Sequence, residues 1–114
     1  MLKITVVKEG AEFMAFLKDD RSLYGSGSTE GEAIGEALIG REALYSATLT
    51  ITVEQRAKDY IAYLNGKTNM WGCGKVQSIA IGDALIGHAR LERPGSLRKA
   101  LSASLEDVLI VIED

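Results

Sequence analysis

Runs of β-branched residues and a periodic apolar stripe follow one another along this chain, and the whole succession occurs twice. Ile4-Thr5-Val6-Val7 opens the first round and favours a strand, since branched side chains pack well on a pleated surface. A polar break over residues 8–11 separates it from a second apolar run, Glu12–Leu17, at a spacing that suits a hairpin with Gly10 in its turn. A loop over 18–22 leads to a short third strand over 23–27. Thr29-Glu30-Gly31-Glu32 then has the form of a capping box, in which the Thr29 hydroxyl accepts the amide of Glu32 while the Glu32 carboxylate reaches back. Beyond it Ala33, Ile34, Ala37, Leu38, Arg41 and Tyr45 recur at steps of three and four, so a single helix with one apolar stripe is expected.

Laid on itself with a shift of 47, the chain aligns residues 2–40 with 49–87 without a gap, and 15 of the 39 pairs are identical. The identities begin at Leu2, Ile4, Thr5, Val6, Ala15, Leu17, Gly25 and Gly27, and continue at Ala33, Ile34, Gly35, Ala37, Leu38, Ile39 and Gly40. Phe13/Tyr60, Phe16/Tyr63, Tyr24/Trp71 and Glu36/Asp83 are conservative exchanges. The second copy thus repeats the strands at 51–53, Asp59–Leu64 and 70–74, with Asn65-Gly66 as a turn signal, and its helical stripe is Ala80, Ile81, Ala84, Leu85 and His88. Glycines inside both helices (Gly35, Gly40, Gly82, Gly87) cost roughly 0.5–1 kcal/mol each relative to alanine, and close backbone approach to the sheet or to the other helix is the expected compensation.

One domain over 1–114 is therefore expected, with repeat units over 2–48 and 49–92 and a C-terminal segment over 93–114. Arg93-Pro94-Gly95 breaks the chain after the second helix. A short helix is expected over 96–104, and Leu105–Glu113 reads as a strand buried on both faces, taking after copy two the place that 49–53 takes after copy one. The fold class is α+β: tandem β-β-β-α units forming an antiparallel sheet with two helices on one face and a final C-terminal strand.

Composition narrows the function. At 114 residues, 46% hydrophobic and 25% charged, the chain has material for one core without disulfides or metal. Thirteen Lys+Arg against 16 Asp+Glu leave −3 at pH 7, which argues against a protein living on phosphate contacts. A single cysteine, Cys73, cannot form an internal disulfide, and a single histidine, His88, cannot build a zinc cluster. No apolar run approaches the ~20 residues of a membrane span, and no signal-peptide core opens the chain. A soluble, cytoplasmic protein without a membrane partner is expected.

Gly27-Ser28-Thr29-Glu30-Gly31-Glu32-Ala33-Ile34, following a strand that ends in an aromatic-glycine step, resembles the HicB-like family. Phe13-Met14-Ala15-Phe16-Leu17 and Tyr60-Ile61-Ala62-Tyr63-Leu64 look like that family's second strand, and Trp71-Gly72-Cys73 is similar to its Pro-Gly-Cys step. Ser28 stands where the family has aspartate, and in copy two Lys75-Val76 replaces the Asp-Thr pair. The resemblance covers about residues 2–90 and implies two partial RNase H-like units without RNase activity, of the kind that bind and block a small toxin RNase. Many members add a DNA-binding module, but only about 20 residues follow Pro94 here, so no such extension is expected.

Candidate chemistry is sparse. Nuclease chemistry needs convergent carboxylates to hold metal ions. Glu12, Asp19, Asp20, Glu32, Glu36, Asp59 and Asp83 fall mostly in loops and on an outer helix face, and Glu12/Asp59 reads as a solvated strand edge. His88 matches Arg41 and suits the C-terminal end of a helix dipole, and Cys73 matches Ser26 and reads as a small packed residue. No catalytic residue, metal or cofactor is expected. The second strands are apolar on both faces, and if helices cover one face, Met14, Phe16, Ile61 and Tyr63 lie on the other. An aromatic, apolar face calls for cover: self-association, a small toxin-like protein partner, or RNA bases stacked on Phe16 and Tyr63. The expected function is a non-enzymatic protein-interaction module, with an RNA-binding sheet face as the alternative.

Overall fold

The computed structural model describes residues 2–93 and 105–113, over which the chain forms eight strands and three helices: β1 (Leu2–Glu9), β2 (Glu12–Leu17), β3 (Asp20–Gly27), α1 (Glu30–Leu38), α2 (Glu42–Tyr45), β4 (Ile51–Arg56), β5 (Asp59–Leu64), β6 (Lys67–Gly74), α3 (Gln77–His88), β7 (Ala89–Glu92) and β8 (Leu105–Glu113). The class is α+β, but the strands form two sheets rather than the one expected. Five strands run in the order β3-β2-β1-β8-β7, and three in the order β4-β5-β6.

Both three-stranded meanders follow one register plan. The pairs from Ile4↔Leu17 to Glu9↔Glu12 in β1–β2 recur 47 positions later as Ile51↔Leu64 to Arg56↔Asp59 in β4–β5. Both meanders also break register at the same place, between Phe16 and Leu17 and between Tyr63 and Leu64. Each hairpin is tighter than expected. Two residues, Lys18-Asp19 or Asn65-Gly66, both at positive φ, turn each second strand into the third, so the third strands begin at Asp20 and Lys67. Such a turn suits Asn-Gly, and the first copy makes it without glycine.

α1 packs on β2 and β3 of the larger sheet, whose inner face buries Leu2, Ile4 and Val6 of β1, Ala15 and Leu17 of β2, and Val108, Ile110 and Ile112 of β8. α3 covers Ala62, Leu64 and Met70 in the smaller sheet. Gly25 and Gly72 let each helix lie directly on its third strand, since a Cβ on either would overlap the backbone amide of Ala37 or Ala84. The two sheets are joined through their helices. Where α1 crosses α3, Gly35 lies against the Ser78 carbonyl and Gly82 against the Gly31 carbonyl, positions related by the same 47-residue shift. The expected close approach is therefore made by Gly35 and Gly82, to the other helix, whereas Gly40 and Gly87 have nothing within 4 Å of an added Cβ.

Three further expectations need correction. The first helix stops at Leu38 instead of carrying its stripe to Tyr45: Gly40 turns at φ +80, and Arg41 donates to the Ala37 carbonyl and to that of Tyr24. Tyr45 instead sits in the separate short helix α2, and it is buried. The strand over Leu105–Glu113 has the expected bounds but not the expected place, because β8 lies between β1 and β7 and runs parallel to both. Its inner face is buried, whereas Leu109 and Val111 on the other face are half-exposed. β7 has no counterpart in copy one and too few apolar residues to signal a strand. The short helix expected over 96–104 lies outside the described residues.

Candidate functional site

The outer faces of the two sheets carry the residues singled out above. Strand alternation, anchored by Ala15 opposite the buried Gly25, turns Met14 and Phe16 away from α1, and Ala62 opposite Gly72 does the same for Ile61 and Tyr63. Met14, Ile61 and Tyr63 are half-buried on these faces. Phe16 is only 4% exposed, because the Arg21 guanidinium lies over its ring, 4.8 Å from the centroid. Tyr63 is held differently: its hydroxyl accepts from Arg56 Nη2 at 3.1 Å, and the same guanidinium lies 3.5 Å from the Glu54 carboxylate.

The most exposed aromatic rings on these faces are Tyr24 and Trp71, neither of which was among the expected face residues. Tyr24 is 49% exposed and Trp71 50%, each directly across from the second-strand aromatic, in the rows Thr5–Phe16–Tyr24 and Thr52–Tyr63–Trp71. Their signal was present in the repeat, as aligned aromatics each next to a glycine that must lie under a helix. Leu109 and Val111 of β8 extend the apolar area on the larger sheet beside Lys3 and Thr5.

The carboxylates do structural jobs. Thr29 caps α1 by accepting from the Glu32 amide at 3.1 Å, and the Glu32 carboxylate reaches back one residue further than in a standard capping box, to the Ser28 amide at 2.7 Å. Asp83 accepts from the Cys73 amide at 3.1 Å and so ties α3 to β6. Asp19 meets Lys3 and Thr5, and Asp20 accepts from the hydroxyl and amide of Ser22, which hold its carboxyl below the usual aspartate value. Glu30, at the start of α1, accepts from Nη2 and Nη1 of Arg93, at 3.1 and 3.3 Å. His88 closes the last turn of α3, as its match to Arg41 suggested, and is half-buried. Cys73, expected to be packed, is exposed, since it faces outward beside Ile61 while the flanking Gly72 and Gly74 face α3.

Among the described residues, no group of three or more His, Cys, Asp or Glu side chains is placed to hold a metal ion, and no helix is long and apolar enough to cross a membrane. Comparison of the chain with family models, with curated proteins and with solved structures gives no match.

Proposed function

We propose that this chain is a non-enzymatic protein-interaction module, two HicB-like β-β-β-α units joined in tandem, which binds a small toxin-like protein through its outer sheet faces. One observation carries this: both outer faces present aliphatic and aromatic side chains (Met14, Tyr24, Ile61, Tyr63, Trp71) where a solvated antiparallel face is ordinarily polar. Descent of the two units from one ancestor is supported by the shared hairpin register and by the reciprocal glycines between α1 and α3. A pseudo-dimer within one chain then shows a partner two similar aromatic faces. The capped helix start at Thr29, immediately after the third strand, supports the HicB-like assignment.

Calorimetric titration with a representative toxin RNase of a HicB-like pair tests this. Binding that is little affected by moderate salt, and is lost in a folded Met14→Glu/Ile61→Glu variant, is the expected result. The half-exposed rings of Tyr24 and Trp71 favour RNA stacking as the second reading. Single-stranded RNA bound in place of the toxin, with affinity falling steeply as salt rises, would put that reading first. Binding of neither would remove both.

A further inference from the structure

We propose that the open edge of β4 pairs with the same edge of a second copy of this chain, antiparallel and centred on Val53, to form a two-fold dimer. This pairing is independent of what the outer faces bind. The starting point is an asymmetry between the two units. Ile4 and Val6 in β1 are fully buried, with β8 alongside them in the register Ile4↔Ile110 and Val6↔Ile112. Their counterparts Ile51 and Val53 in β4 are half-exposed, and among the described residues no strand pairs with the outer edge of β4.

The backbone on that edge is arranged for pairing. The Asn65 amide donates to the Thr50 carbonyl at 2.8 Å, and a two-residue loop closes the hairpin at Arg56↔Asp59. The even-numbered residues of β4 therefore bond β5, and the amides and carbonyls of Ile51, Val53 and Gln55 point away from the sheet. The other three sheet edges are blunted. β3 and β6 break register, and β7 is four residues long. β4 runs six residues with unbroken register and contains neither proline nor lysine.

Charge selects the register. Centred on Val53, the pairing sets Ile51 opposite the second copy's Gln55 and brings the half-exposed Ile51 and Val53 of both copies together on the inner face. On the outer face it sets each Glu54 opposite the other copy's Thr52, a hydroxyl that can donate to the carboxylate. Sliding by one pair one way would bring Glu54 opposite Glu54, two like charges across the strand, and sliding the other way would leave only residues 51–53 of each six-residue strand paired.

An edge of six residues buries far less than a standard interface, so the dimer is expected to form over roughly 10–500 µM in sedimentation velocity of the full chain. At the top of that range the mass should approach twice 12.3 kDa. Thr52→Glu, at an exposed position, should weaken the dimer about tenfold and Thr52→Lys should strengthen it several-fold, with unchanged melting. Gln55→Pro removes an outward amide and should abolish dimerisation, while Met14→Glu should leave the mass unchanged. A monomer throughout, or a dimer indifferent to the β4 substitutions, overturns the proposal. So does a dimer dissolved by Met14→Glu, which would make the outer face the interface.

Discussion

Gly35 of α1 and Ser78 of α3 meet backbone to backbone: a Cβ added to Gly35 would overlap the Ser78 carbonyl oxygen, and Gly82 stands in the same relation to Gly31. Small residues four apart on each helix, Gly31 and Gly35 facing Ser78 and Gly82, let the two axes approach closely. Alanine at Gly35 or Gly82 must push the helices apart, and overpacking of this kind costs about 1–3 kcal/mol. At Gly87 nothing lies within 4 Å of an added Cβ, so Gly87→Ala should instead stabilise by about 0.5–1 kcal/mol. Urea denaturation of the three variants checks the opposite signs, and a harmless Gly35→Ala would refute the tight crossing.

The first hairpin of each unit turns through a positive φ, at Gly10 (+63) in one and at Ala57 (+55) in the other. Glycine accepts that conformation freely and alanine does not. Ala57 is exposed, so Ala57→Gly should raise stability by about 1 kcal/mol with little other effect, read as a shift in melting temperature. The reverse change, Gly10→Ala, should lower it by a similar amount.

Burial pushes the Tyr45 phenol above its ordinary value, and the nearby Glu42 carboxylate adds to the effect. The folded state therefore disfavours the ionised ring. Stability from this source is complete below the ordinary tyrosine value of about 10 and is lost as pH rises through the higher folded-state value. Tyr45→Phe should leave the alkaline limb of the stability curve flatter than wild type, measured by denaturant midpoints from about pH 8 to about pH 11. Parallel curves for the two proteins would refute it.

Local order was legible in the sequence at several elements whose cause is local. Glu12–Leu17 and Leu105–Glu113 have the bounds their apolar runs suggested, and Thr29 caps α1 through the hydroxyl its spacing to Glu32 promised. The partition into two sheets was not legible. Alternation says which face a residue takes, never which strand lies beside it, and β8 reaches β1 across almost the whole chain. The break at Gly40 was hidden because Arg41 and Tyr45 keep the helical spacing after the helix has ended. The outer faces were half legible. Met14 and Ile61 follow from alternation, but the Arg21 cover over Phe16 depends on an irregular stretch of β3 that no periodicity reports.

The parallel pairing of Leu2 with Val108 also imposes a timetable. The two residues are 106 positions apart, so at about 5–20 residues per second a ribosome makes β8 roughly 5–20 s after β1. Once residues 2–38 are made, the first meander and α1 can form while the edge of β1 that β8 will cover, beside Ile4 and Val6, stands bare. The unit made first is thus completed only after the second has been made, and until then its nascent form carries an open strand edge.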